Sequence, residues 1–291
     1  MKQRIVNIYN NMYSKDLRVL PANLAYSFTL AIIPILTLVI YFLSKLSFPE
    51  AAVKAFLENN IPAALANIIT PIFTTSMNTS SFITIFAGIM VAANGCNAII
   101  IASNTVFNFK NSPLYKRYTK SMFIMILIIV LFAFILIVPL FGKSIVNFLI
   151  KYFSFFEKNK NLVNVIYTIL QLPVSLFIMF FLIKLIYIIA PDGKIKSKYV
   201  NVGALFTTVS WLLSTVIFSF YLNHIARFDL VYGNIANIAI LLIWLYVISF
   251  VFVVGICINK EYVDIGIEKT NNYKFEEIRN RIKQDKRSSN R

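Results

Sequence analysis

The sequence predicts an all-α polytopic membrane protein, a bundle of six transmembrane helices, and three observations carry that reading. First, 58% of the 291 residues are hydrophobic and only 14% are charged, whereas a soluble domain carries about 25% charged residues. With a mean hydropathy of +0.73, the chain has too few polar groups to cover a surface facing water, and it is too apolar to remain unfolded. Second, the apolar residues gather into six runs, 22–43, 82–101, 121–141, 163–190, 203–222 and 235–259, each near the roughly 20 residues that a helix needs to cross a bilayer. Third, Lys184 is the one fully charged side chain inside these runs. An uninterrupted apolar run in hydrocarbon must satisfy its own backbone, which a helix does. The alternating apolar and polar pattern of a transmembrane barrel is missing.

Taken in order, 1–21 reads as a cytoplasmic N-terminal segment. The first run is longer than the roughly 7–15 apolar residues of a cleaved signal peptide, and it is read as a span. The connection 44–81 contains two shorter apolar runs broken by Pro62 and Pro71. A helical extracytoplasmic connection is expected there, lying on the membrane or capping the bundle. Pro34, Pro139 and Pro173 interrupt three spans; each removes a backbone donor and can kink its helix. Gly203, Thr207, Ser210 and Ser214 share one face of the fifth span, as a closely packed helix pair requires. Lys184 lies near the end of its span, where it can snorkel to the interface or serve as a counter-ion. The tail, 260–291, alternates in charge and then turns basic; a helix is expected over 276–287 and disorder at the extreme end.

Charge placement sets the orientation. The net charge is +16. Twenty Lys and Arg residues lie in the N-terminal segment, the second-to-third and fourth-to-fifth connections and the tail, against seven on the opposite side. The positive-inside rule then places both termini in the cytoplasm, with the basic face toward anionic lipid headgroups. Nucleic acid is the disfavoured partner for this charge. Homo-oligomerisation stays open.

The inventory for catalysis is thin. Two cysteines and one histidine exclude a disulfide scaffold and a histidine metal cluster. No span contains an acidic residue, and neither a phosphate-binding glycine loop nor a nucleophile elbow is present. No enzyme activity, metal or cofactor is expected.

Polar side chains inside the spans are more informative. At about 100° per helical residue, Asn94, Asn97, Asn104 and Asn108 share a sector of about 80°. Asn23, Tyr26, Ser27, Pro34 and Thr37 share a similar sector of the first span. With Gln171, which stands beside Pro173, the residues Asn23, Tyr26, Ser27, Pro34, Thr37, Asn94, Asn97 and Asn104 make a candidate polar path. The other reading is plain interhelical hydrogen bonding, at about 0.6 kcal/mol per contact.

Specific text appears from Tyr187 onward. Tyr187-Ile-Ile-Ala-Pro-Asp-Gly is followed by Gly203-Ala-Leu, Trp211-Leu-Leu-Ser, Phe218-Ser-Phe-Tyr-Leu-Asn and Leu230-Val-Tyr-Gly-Asn. Ile243-Trp-Leu-Tyr then leads to Gly255 and Asn259. Together with Asn23-Leu-Ala-Tyr-Ser-Phe and Asn97-Ala-Ile-Ile-Ile-Ala-Ser-Asn, this resembles the YihY/BrkB family over roughly residues 19–261. The resemblance implies six helices in the bacterial inner membrane. It also brings a former ribonuclease BN label, for which this chain offers no nuclease constellation, and a virulence-factor label that names a phenotype. Many members carry an acidic residue near the end of the last helix, where Cys257 stands here; this puts cation coupling through such a carboxylate in doubt. The resulting expectation is a transporter or exporter of an unidentified solute or lipid. The alternative is a non-transporting scaffold or envelope-integrity factor, with a membrane-associated ribonuclease last.

Overall fold

The apolar runs do close as helices. The computed structural model describes residues 15–45, 82–152, 159–224 and 236–289. After a short turn of helix at Lys15–Arg18 come α1 (Leu20–Lys45), α2 (Phe82–Phe107), α3 (Leu114–Tyr152), α4 (Lys160–Ile189), α5 (Asn201–His224) and α6 (Ala236–Ser289). No strand occurs among the described residues. The expected connection 44–81 lies, apart from its first two residues, outside them.

Among the described residues, five stretches are long and apolar enough to cross a bilayer: Gly88–Phe107, Leu114–Phe134, Lys160–Ile189, Asn201–Tyr221 and Ile238–Gly266. In α1 the corresponding stretch, Leu20–Ile32, is shorter, so five of the six expected spans are borne out by length and composition, and α1 is a helix of 26 residues. Two helices outrun the apolar segments that predict them by the most. The third begins at Leu114, seven residues before the run at 121, and the sixth continues through the charged segment to Ser289.

Consecutive helices pack on one another, and α6 returns to pack on α1, which closes the bundle into a ring. The helices are not equally enclosed. The crossing segments of α2 and α6 are each 56% buried, those of α4 and α5 only 22%. The outer faces of α4 and α5 carry Leu172, Val174, Phe177, Leu213, Val216 and Ile217, all exposed. Such faces would aggregate in water; in a bilayer they meet acyl chains at no cost.

Hydrocarbon outside the bundle removes the usual hydrophobic drive for helix pairing, so close approach and hydrogen bonds hold the ring together. Gly95 of α2 lies against Ala31 and the Ser27 carbonyl of α1, with no room for a Cβ. Between α5 and α6, Gly203 sits on the Gly255 carbonyl and the Asn259 amide, and its N–H donates to Asn259 Oδ1 at 3.0 Å. The small face expected on the fifth span is therefore a helix contact at Gly203 and Thr207, both buried. Tyr187 of α4 reaches the same seam, its hydroxyl 2.7 Å from Thr207 Oγ1 and donating to the Phe252 carbonyl at 2.9 Å.

Candidate functional site

Two features stand out, a polar lock at one end of the ring and an apolar chamber inside it. The lock begins where α2 stops. Asn108 adopts a left-handed conformation with φ 57°, which asparagine tolerates better than most residues. Phe109 N–H then bonds back to the Asn104 carbonyl at 2.9 Å and Asn108 N–H to the Thr105 carbonyl at 3.3 Å, a Schellman ending that closes the helix. The turn delivers Asn111 and Ser112 beside Asp192, in the Pro191-Asp192-Gly193 turn that follows α4.

Asp192 accepts four hydrogen bonds. Lys120 Nζ donates to Oδ1 at 2.8 Å, the Ser112 hydroxyl to Oδ1 at 3.1 Å, Ser112 N–H to Oδ2 at 2.9 Å and Asn104 Nδ2 to Oδ2 at 2.7 Å. Asn104 completes the exchange by accepting from Asp192 N–H at 2.8 Å and donating to Asn111 Oδ1 at 2.9 Å. Lys120 also donates to the carbonyls of Ala190 (3.1 Å) and Pro191 (2.8 Å). Burial alone would push the Asp192 carboxyl up. The bonds from Lys120, Ser112 and Asn104, with the Lys120 charge, outweigh it and hold the pKa down at about 2. The lock ties the end of α2, the start of α3 and the α4–α5 turn into one cap. The basic connections carrying Lys110, Lys116, Lys194 and Lys196 thus lie at one end of the ring, as their common assignment to one side of the membrane requires.

The chamber, about 150 Å3, lies among all six helices. Ile35, Ile99, Ile128, Ile186, Trp211 and Trp244 each represent one helix in its wall, and Thr215 supplies the one hydroxyl. A cleft of about 370 Å3 adjoins it between α4 and α5. Met179, Trp211 and Thr215 line both spaces. Trp211 is held there by donating from Nε1 to the Ile248 carbonyl at 2.9 Å.

The sequence-derived path residues scatter over these features. Gln171 lines the cleft. Asn104 is fully buried in the lock, with its amide oxygen and nitrogen both engaged. Asn23, Tyr26 and Asn94 are exposed, Tyr26 at 67%. Ser27 and Pro34 are half-buried; the Ser27 carbonyl packs at Gly95 and Pro34 lies near Gly88. Asn97 is half-buried, its Oδ1 enclosed without a hydrogen-bond partner. The Thr37 side chain lies outside the described residues. None of the described path residues of the first two spans is in the chamber wall.

Asp192, Ser112 and Lys120 went unnoticed in the sequence reading as a unit. One signal was available: Asp192 is a lone acid in a connection otherwise rich in lysine. Thr168, Ser175 and Thr215 were hidden because each hydroxyl bonds a carbonyl four residues back, a pattern common to any membrane helix.

Comparison with known proteins agrees with this architecture. The chain is 28% identical over 244 residues to the ribonuclease-like protein YfkH of Bacillus subtilis, covering 82% of this chain and 87% of the relative. It is 27% identical over 238 residues to a "UPF0761 membrane protein" of Mannheimia succiniciproducens, covering 79% and 78%. A "UPF0761 membrane protein" of Prosthecochloris aestuarii is 34% identical over 119 residues, or 40% of this chain and 28% of that one. No solved structure matches. The family described as "Virulence factor BrkB" matches residues 8–276, nearly the whole helical bundle, and the chain belongs to that family.

Proposed function

We propose that the protein transports or exports a lipid-like amphiphile across the bacterial inner membrane, with both termini in the cytoplasm. One observation carries the reading: six helices enclose a chamber whose wall is almost wholly apolar and which adjoins a cleft between the two helices least enclosed by the bundle. A hydrated ion or osmolyte entering such a space would lose water without gaining partners. A hydrocarbon chain loses nothing. The ribonuclease-like name belongs to YfkH. Here, among the described residues, no group of three or more His, Cys, Asp or Glu could hold a metal, and the Asp192 carboxylate is occupied by Lys120.

The test is reconstitution. Proteoliposomes containing the protein should move fluorescent lipid analogues between leaflets faster than protein-free vesicles, and should leave ions and small osmolytes unmoved. Bundle integrity without movement of any lipid or solute would support the scaffold reading instead.

Orientation has its own test. In a background lacking Cys96 and Cys257, a cysteine at Tyr115 or Lys194 should react with an impermeant maleimide only after the cells are opened. Labelling of intact cells would reverse the topology. In the proposed orientation the lysines around the lock meet the anionic inner leaflet, where each contributes on the order of 1 kcal/mol.

A further inference from the structure

We infer that the cleft between α4 and α5 is a lateral mouth that takes an uncharged, hydroxyl-bearing lipid from the bilayer, with Gln171 holding its head and the chamber its chain. The inference rests on the transport reading for its purpose, but the binding site is defined by the residues alone. The surroundings identify the occupant's chain, since the flanking faces of α4 and α5 are exposed and apolar.

The chemistry of the mouth identifies the head. Thr168, Ser175 and Thr215 each donate their hydroxyl proton to a carbonyl of their own helix, at 3.0, 2.7 and 2.8 Å. Each hydroxyl oxygen therefore faces the cleft as an acceptor. The Trp211 N–H is engaged at Ile248. Gln171 alone among the cleft residues has side-chain N–H groups to offer. The mouth thus offers several acceptors, one amide, and no charged side chain. A head with its own O–H donors and a carbonyl acceptor fits, as in a monoacylglycerol. A phosphate or carboxylate would meet oxygen lone pairs and no cation.

The depth also fits. Gln171 stands 15 residues before Ile186 of the chamber wall, about 22 Å along α4 at 1.5 Å per residue, the reach of a long acyl chain.

The chain contains two tryptophans, and both line the chamber; Trp211 also lines the cleft. They provide the readout. Full-length protein in lipid nanodiscs, as Trp211→Phe or Trp244→Phe, is titrated with a monoacylglycerol carrying a dibrominated chain. Dibrominated stearate at alkaline pH and dibrominated phosphatidylglycerol are titrated for comparison.

The expected result is saturable quenching of Trp244 by the neutral lipid, reversed by its unbrominated form, with at least about tenfold weaker effects from the two anions. Gln171→Leu should weaken the neutral lipid about tenfold at an unchanged melting temperature. Ile99→Phe, filling the chamber, should protect Trp244 while Trp211 remains quenched; Leu131→Phe serves if that variant does not fold. Linear quenching equal for all three lipids, or quenching indifferent to Gln171→Leu, overturns the site. Binding without lipid translocation in vesicles overturns the transport reading and leaves the site standing; translocation without saturable binding does the reverse.

Discussion

Replacing Asp192 with alanine should destabilise the bundle by about 2–4 kcal/mol, because it leaves the Lys120 ammonium and the Asn104 amide facing a vacated, largely enclosed position. The measurement is the melting temperature in detergent by size-exclusion recovery. Lys120→Met should cost less, since Ser112 and Asn104 continue to hold the carboxylate. The pH dependence follows from the direction of the shift. The Asp192 pKa is lowered from 3.8 to about 2 on folding. Its contribution is therefore fully present above about pH 4 and is lost as pH falls through about 2. Linkage puts that contribution at about 2 kcal/mol. Over this window the wild-type melting temperature should fall more steeply than that of Asp192→Asn. Parallel curves would mean that the carboxylate is not held as described.

An equally large effect is expected at Gly255. A Cβ there would run into Thr207 Oγ1 and the Tyr187 hydroxyl. Those two groups are bonded to each other, and the Tyr187 hydroxyl also donates to the Phe252 carbonyl, so neither can turn aside cheaply. Nor can α6 recede without breaking its contact with Gly203. Gly255→Leu should cost about 3 kcal/mol, the upper part of the overpacking range, or prevent folding. Gly88→Ala is the control. A Cβ there meets Pro34 Cβ at 3.9 Å, an ordinary contact, and α2 gains a better helix former. If both variants melt like the wild type, the α5–α6 seam is looser than its geometry implies.

These two positions show how much of the molecule could be read from its sequence. Gly255 and Gly203 are recognisable as small residues on spans, and the small face expected on the fifth span packs at Gly203 and Thr207, because small-residue spacing is a property of one helix. Their partners could not be named, since 56 residues separate Gly203 from Asn259. Asn104 shows the difficulty more sharply. As a member of an amide sector it suggested a solute path, while its actual partner, Asp192, lies 88 residues further along. Periodicity identifies the side of a helix on which an amide lies, but not what occupies that side.

What the sequence determined on its own is the class of solvent and hence the class of fold. Long apolar runs with a single internal charge can satisfy their backbone in hydrocarbon only as helices, and that argument is local to each run. The same holds for the clustering of basic residues in alternate connections. The tertiary structure decided which polar groups meet. It joined Asn104, Ser112, Lys120 and Asp192 into a lock, left Asn23, Tyr26 and Asn94 on the exterior, and put both tryptophans around one chamber with Gln171 at its side. The physical reason is that helix pairing in a membrane is selected by close approach and by hydrogen bonds between distant segments, and the spacing within one segment does not name its partner in the other.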